Sequence, residues 1–255
     1  MSDSRLPAEM LDRVVGNLHN RPDVLKQCCL VSKSWTPRTR KHLFAHARFP
    51  TAKSLQSWKK TFPDPSTSPV HYAKILSVGC PEAVTAADAE AGGWLSGFSR
   101  VERLEVGNQR SYHESPPLVS LCGFSPALKS VFISFAVLPS PSIINFILSF
   151  PSLEDLDVRV HDADDGDSSG GLPTAARPPF TGSLKLYLRG GMEPFTRRLL
   201  SLPGGIHFRK LILTWFRGED LLLTMALVEA CSQTLESLDI SDARGASVRY
   251  LHPHL

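Results

Sequence analysis

The sequence lacks the features that most directly announce chemistry. It contains no G-x-x-x-x-G-K-[ST] and no G-x-G-x-x-G following a strand-like run, so no nucleotide site is indicated. It has no C-x-x-C. The five cysteines, Cys28, Cys29, Cys80, Cys122 and Cys231, are odd in number and scattered, a poor basis for a disulfide framework. Long apolar runs are absent as well. The best candidate, "VFISFAVLPSPSIINFILSF", is cut by Pro139, Pro141 and several serines, which speaks against a membrane span. The opening "MSDSRLPAEM" is polar and has no apolar stretch behind it, unlike a secretory signal. These absences lead us to expect an intracellular protein, in the cytoplasm or nucleus, with reduced thiols and no membrane partner.

What is plentiful is punctuation. Twenty prolines and 17 glycines among 255 residues predict short elements, in a chain whose 42% hydrophobic and 21% charged residues are ordinary for a globular protein. Charge is unevenly spread. Residues 1–60 hold 12 Lys/Arg and 4 Asp/Glu, a balance of +8; since the whole chain is +3, the remainder is −5. A basic head on a mildly acidic body suggests two modules with different partners, the head facing an acidic protein, a nucleic acid, a membrane surface or solvent alone.

Helical spacing dominates the head. Pro7 suits a first helical turn, and Met10, Leu11, Val14, Val15 and Leu18 follow at helical intervals until His19-Asn20-Arg21-Pro22. A second helix from about Asp23 carries Val24, Leu25, Cys28, Cys29 and Val31. Thr36-Pro37 starts a third, with Leu43, Phe44 and Ala47. A fourth runs from about Thr51 with Leu55, Trp58 and Phe62 on one face, closed by Pro63. Three short helices enclose very little, so the bundle gains from a neighbour that covers its remaining apolar surface. Adjacent Cys28 and Cys29 point about 100° apart on a helix and have no metal-ligand spacing. They read as small packing residues.

The stretch "LPAEMLDRVVGNL…DVLKQCCLVSKSWTPRTRKHLF" resembles an F-box, through Leu6, Pro7, Glu9, Leu18, Val31, Ser32, Lys33, Trp35, Leu43 and Phe44. "LQSWKKTF-PDPSTSPVHYAKILSV" resembles the segment that follows the F-box in mushroom-type (basidiomycete) fungal proteins. The resemblance covers residues 4–48. It implies docking on the Skp-type adaptor of a cullin–RING ubiquitin ligase, with contacts from Leu6, Pro7, Leu18, Leu25, Val31, Ser32, Trp35 and Leu43. Aliphatic and aromatic anchors inside a basic rim fit an acidic, apolar partner surface.

The body repeats. The pattern apolar-x-x-apolar-x-apolar occurs as "VERLEV", "LKSVFI", "LEDLDV", "FRKLIL" and "LESLDI", with weaker copies "TGSLKL" and "AKILSV". The units begin at 73, 101, 128, 153, 181, 208 and 235, spaced by 28, 27, 25, 28, 27 and 27. That period lies in the leucine-rich-repeat range. Helix-like runs, "PSIINFILSF", "EPFTRRLLSL" and "EDLLLTMALVEACSQT", separate several strands. The asparagine of many such repeats is missing and residues 159–180 are not helical in pattern. The body looks like the irregular leucine-rich repeats that follow fungal F-boxes.

The expected fold is therefore α/β: an F-box over 4–48, a linker helix and proline-rich connection over 49–72, a leucine-rich-repeat solenoid of six or seven repeats over 73–241, and a tail over 242–255. The strand near 235–241 is expected to be the last, with an incomplete cap that a truncated gene product or missing repeats would explain. The pleat turns Leu156, Val158 and their equivalents to the core. It turns Arg103, Glu105, Ser130, Phe132, Asp155, Asp157, Lys185, Tyr187, Lys210, Ile212, Ser237 and Asp239 to an open, concave face suited to a protein substrate. Trp215 and Phe216, just past a strand, would stand at its rim or fill gaps under loops.

Three motifs invite other readings. "GDSSGG" (166–171) resembles a serine-protease nucleophile segment, but no base for Ser168 or Ser169 is visible. "DADDGD" (162–167) is like a calcium loop, but His161 and Ala163 stand where oxygen ligands belong and Leu172 where the glutamate should be. His42 and His46, four apart, lack a third ligand. The expectation is a non-enzymatic substrate receptor with no cofactor and no metal. Its rivals are an F-box scaffold acting outside ubiquitination and a basic-headed nucleic-acid-binding protein. The second is disfavoured because no stacking aromatics lie among the cations.

Overall fold

The computed structural model describes residues 7–90, 92–107, 118–137, 140–162, 180–188, 193–216, 221–242 and 247–251, with 247–251 and some residues at other element ends described by backbone alone. The head is three helices, α1 (Ala8–Asn17), α2 (Pro22–Val31) and α3 (Thr36–Leu43). Proline precedes or opens each: Pro7 caps α1, Pro22 begins α2 and Pro37 lies in the first turn of α3. At those positions the missing N–H costs nothing. Leu11 and Val15 are buried one turn apart on α1, as are Leu25 and Cys28 on α2. Cys28 is thus packing material. The Cys29 thiol lies 2.8 Å from Oγ1 of the fully buried Thr39, whose hydroxyl donates to the Trp35 carbonyl at 2.9 Å. Asp12 and Arg38 pair at 2.7 Å and tie α1 to α3.

The body is one sheet of nine strands in sequential order: β1 (His46–Phe49), β2 (Ile75–Val78), β3 (Arg103–Gly107), β4 (Ser130–Val137), β5 (Asp155–Asp162), β6 (Ser183–Leu188), β7 (Lys210–Phe216), β8 (Ser237–Asp242) and β9 (Ser247–Leu251). β1 to β8 are all parallel, and β9 is antiparallel to β8. The parallel strands start at 46, 75, 103, 130, 155, 183, 210 and 237, so the intervals are 29, 28, 27, 25, 28, 27 and 27. Equivalent residues sit side by side. Ala47, Leu76, Leu104, Val131, Leu156, Leu184 and Leu211 form one buried row, and Phe49, Val78, Val106, Ile133, Val158, Leu186 and Leu213 form another. Leu238 and Ile240 continue the rows on β8 but are only half-buried.

Helices close the core over these rows. α6 (Ser140–Leu148) supplies Ile143, Ile144, Phe146 and Ile147; α7 (Glu193–Leu200) supplies Phe195 and Leu199; α8 (Leu221–Ala230) supplies Leu227. Each such residue contributes about 1.5–3 kcal/mol of burial against chain entropy. The earlier connections use α4 (Ala52–Thr61), the short α5 (Ala86–Ala89) and 3-10 turns such as Trp94–Phe98. This architecture is α/β, a helical head followed by a leucine-rich-repeat-like solenoid, as the repeat period predicts.

Four features differ from the sequence reading. The parallel sheet has eight strands and begins at His46, inside the segment assigned to the helical head. "HARF" is too short for its alternation to stand out from a preceding helical pattern. α4 is no mere linker: Leu55 is buried, and Trp58 meets Phe44 and Phe49 edge-on at centroid distances of 6.0 and 5.5 Å. The reciprocal cap between Thr51 and Ser54 fixes where α4 starts. The strand at 237–242 is not the last, because β9 pairs with it; its alternation "SVRYL" follows too soon after β8 to belong to a parallel repeat. Trp215 and Phe216 end β7 itself, rather than following it, and their side chains lie outside the described residues.

Two glycines should respond oppositely to alanine. At Gly107 on β3 a Cβ would collide with the Ser134 carbonyl on β4, whereas at Gly16 in α1 it would meet nothing. Gly107→Ala should lower stability by about 1–3 kcal/mol through forced backbone separation. Gly16→Ala should raise it by about 0.5–1 kcal/mol. Urea unfolding of both variants checks the pair of signs.

Candidate functional site

The face of the sheet turned away from the helices carries three rows of side chains. The first runs His46, Ile75, Arg103, Ser130, Asp155, Ser183, Lys210, Ser237. The second runs Arg48, Ser77, Glu105, Phe132, Asp157, Lys185, Ile212, Asp239. The third begins at Gly107 and continues Ser134, Arg159, Tyr187, Thr214, Ser241. Every residue expected on the open face is on it, and Arg103 and Lys210 are exposed while Glu105, Phe132, Asp155, Asp157, Lys185, Tyr187, Ile212 and Asp239 are half-buried.

The acids on this face are engaged. Ser77 Oγ donates to Glu105 Oε2 at 2.6 Å, and Arg103 Nε donates to Oε1 at 2.9 Å. Burial pushes the Glu105 carboxyl up, but the hydrogen bond from Ser77 and the hydrogen bond and charge of Arg103 outweigh it and hold it below its ordinary value. His46 Nε2 lies 2.6 Å from Ser77 Oγ, and with the serine proton committed to Glu105 the imidazole must be the donor. In that order of donors His46 gives a proton to the Ser77 hydrogen bond, the reverse of a base that takes the serine proton. Asp155 Oδ1 accepts from both Ser183 N and Ser183 Oγ at 2.7 Å. Asp157 accepts from Arg159 at 3.1 and 3.3 Å.

Arg159 is the centre of the face. Its guanidinium stacks over Phe132 at 4.9 Å and over Tyr187 at 4.4 Å while Asp157 fixes its plane. The two aromatics flank it from the neighbouring strands β4 and β6. The hydrogen bonds that Arg159 donates to Asp157 raise the pKa of an already permanent cation. Toward β1 a groove of about 590 Å³ opens, with Arg48, Thr51, Ser77, Glu105, Phe132 and Ser134 on its walls and Gly79 and Gly107 beneath. Among the described residues, Arg48, Lys185 and Lys210 have no ion pair or hydrogen bond from their side chains, unlike Arg103 and Arg159.

The head residues divide. Pro7, Val31 and Ser32 are exposed; Leu18, Trp35 and Leu43 are half-buried. Leu6 lies outside the described residues. Leu25 is corrected: it is 0% exposed, a core residue with no surface to offer a partner. Its helical spacing with Cys28 turns it inward. Two apolar groups stand exposed on the head. Met10 and Val14, 54% and 44% exposed, form a second stripe on α1 beside the buried Leu11 and Val15, and Leu30 is 87% exposed next to Val31 at 66%.

The rival motifs gain nothing. "GDSSGG", and all of "DADDGD" after Asp162, lie outside the described residues. His42 and His46 do not share a helix, since His46 is in β1. Among the described residues no three His, Cys, Asp or Glu side chains group as a metal site, and no helix is long and apolar enough to cross a membrane. Burial pushes the Cys80, Cys122 and Cys231 thiols up, which disfavours thiolate chemistry.

Sequence reasoning missed Arg159, Arg48, His46 and Ser77. Arg159 is two residues beyond Asp157, so one more step of the strand alternation finds it. Ser77 was inside the weakest repeat. Arg48 and His46 belong to β1, whose four residues follow directly on a helical pattern in the sequence. No protein-family model matches this chain, and neither a curated protein nor a solved structure does.

Glu105 yields a pH test. A carboxyl held below its ordinary pKa stabilises the fold above the unfolded value and loses that contribution as pH falls through its folded value. Glu105→Gln should therefore lower the urea midpoint at pH 7, and the gap should close at an acid pH below the carboxyl's lowered folded value, where both side chains are neutral. A gap equal at both pH values would remove the charge from the explanation.

Proposed function

We propose that the chain is the substrate-recognition subunit of a Skp–cullin–F-box ubiquitin ligase: the helical head docks on the Skp-type adaptor and the open face of the sheet holds a protein substrate. The observation that carries this reading is the apolar surface left on the head, where Leu30 and Val31 stand exposed ahead of the half-buried Trp35. Exposed aliphatics beside an aromatic are what a protein interface centre uses. Lys26, Lys33, Arg40 and Lys41 are exposed on the same head, a basic surround that suits an acidic adaptor by steering its approach. The F-box resemblance of residues 4–48 supports the identity of the partner. The chain performs no chemistry in this reading. It raises the effective concentration of a substrate lysine near the ubiquitin-carrying enzyme. Its place of action would be inside the cell, where the ligase works.

Val14→Glu with Val31→Glu tests it. Both side chains are on the surface, so circular dichroism and the unfolding midpoint should stay near wild type while adaptor binding falls at least a hundredfold, about 3 kcal/mol or more. Measured by calorimetry with a purified Skp-type adaptor, undiminished binding would refute the assigned surface. Leu25→Ala is the contrasting control: it should destabilise by about 2–5 kcal/mol as a core truncation.

A further inference from the structure

The open face is electrically unfinished. Glu105, Asp155 and Asp157 each have partners within the face, and Asp239 is engaged as well. Two of the five cations, Arg103 and Arg159, are consumed by those acids. Arg48, Lys185 and Lys210 are left without a partner among the described residues. The charge still available is positive at both ends of a band whose middle is aromatic, with Phe132 and Tyr187 on either side of Arg159.

We infer that this face takes an extended peptide segment with anionic side chains at its two ends and an apolar side chain between them; the inference rests on the substrate-receptor reading above. Arg48, Phe132 and Lys185 share one row, on β1, β4 and β6. Strands about 4.8 Å apart place Phe132 about 14 Å from Arg48 and about 10 Å from Lys185. At about 3.3 Å per extended residue those gaps are about four and three residues. The ligand would thus have an anion at position i for Arg48, an apolar residue at i+4 on Phe132, and an anion at i+7 for Lys185 and its diagonal neighbour Lys210. The groove beside Arg48 gives the first anion room, and neutral residues pass over Glu105 and Asp157. The anion is a carboxylate or a phosphate monoester; the donors suit either.

The probe is a fluorescein-labelled serine–glycine peptide carrying glutamate at i and i+7 and leucine at i+4, read by anisotropy against the full chain. We expect it to bind at least tenfold more tightly than the same peptide with lysine at i and i+7. K185E/K210E should weaken it at least tenfold and R48E at least threefold. K26E/K33E, which changes net charge equally but on the head, should not. K185Q/K210Q, milder for the fold, should still cost at least threefold, with circular dichroism confirming folding. A phosphoserine version that binds more tightly than the glutamate one names phosphate as the natural anion; the reverse names carboxylate. Affinities for the glutamate and lysine peptides within threefold of each other, or insensitivity to the face variants, would overturn the inference. Adaptor binding, measured separately through the head, decides the receptor reading whichever way the peptide behaves.

Discussion

Everything in the body depends on two apolar residues, two apart, returning to the same sheet position every 25 to 29 residues. A parallel strand has no hairpin partner and cannot be stable by itself. What holds each one in place is that its Leu or Val pair lands on the pair before and after it, under a helix or turn that seals them from water. A slip of one residue would send both to the open face and bring charged residues inside. Because that penalty is large, register is strict, and strict register is what aligns Arg48, Phe132 and Lys185 in one row although they lie far apart in sequence.

The buried rows impose nothing on the alternate residues, and that freedom is where the face acquires its chemistry. The acids there are satisfied at short range by neighbours one strand away or two residues along. A cation with no such neighbour keeps its full interaction capacity for a partner. The aromatics do not sit free either: clamping Arg159 between Phe132 and Tyr187 holds three side chains in one arrangement, so a ligand meets a surface already ordered.

What could be read from sequence follows the strength of the period. Five strong copies of the repeat located their strands and assigned faces correctly, because a pair of aliphatic residues two apart at fixed spacing has one consistent burial. The head helices were legible through their prolines. The failures cluster where the signal is short. "HARF" has four residues and follows a helix, so β1 and its Arg48 and His46 were absorbed into the head. Leu25 matched a family contact position, yet helical geometry pairs it with Cys28 in the interior. Arg159 fell outside a six-residue motif although the strand continued. Hydrogen-bond partners such as Ser77 and Glu105 are 28 residues apart, and only the register brings them together.

The junction between the modules bears on how such a protein would work. α4 follows the first strand and lies against it, and Trp58 touches Phe44 from the end of α3 and Phe49 from β1. Phe49 in turn packs on Trp94 and Phe98 from the next connection, at centroid distances of 5.1 and 6.5 Å. A chain of edge-to-face rings therefore runs from the helical head into the solenoid core, with no flexible spacer among the described residues there. Tethering by a loose linker would spread a bound substrate through a wide volume and dilute its effective concentration. A packed aromatic junction does the reverse. In a receptor of the kind proposed, it would fix the open face relative to whatever the head grips, so that geometry rather than reactive groups determines which substrate lysine is reached.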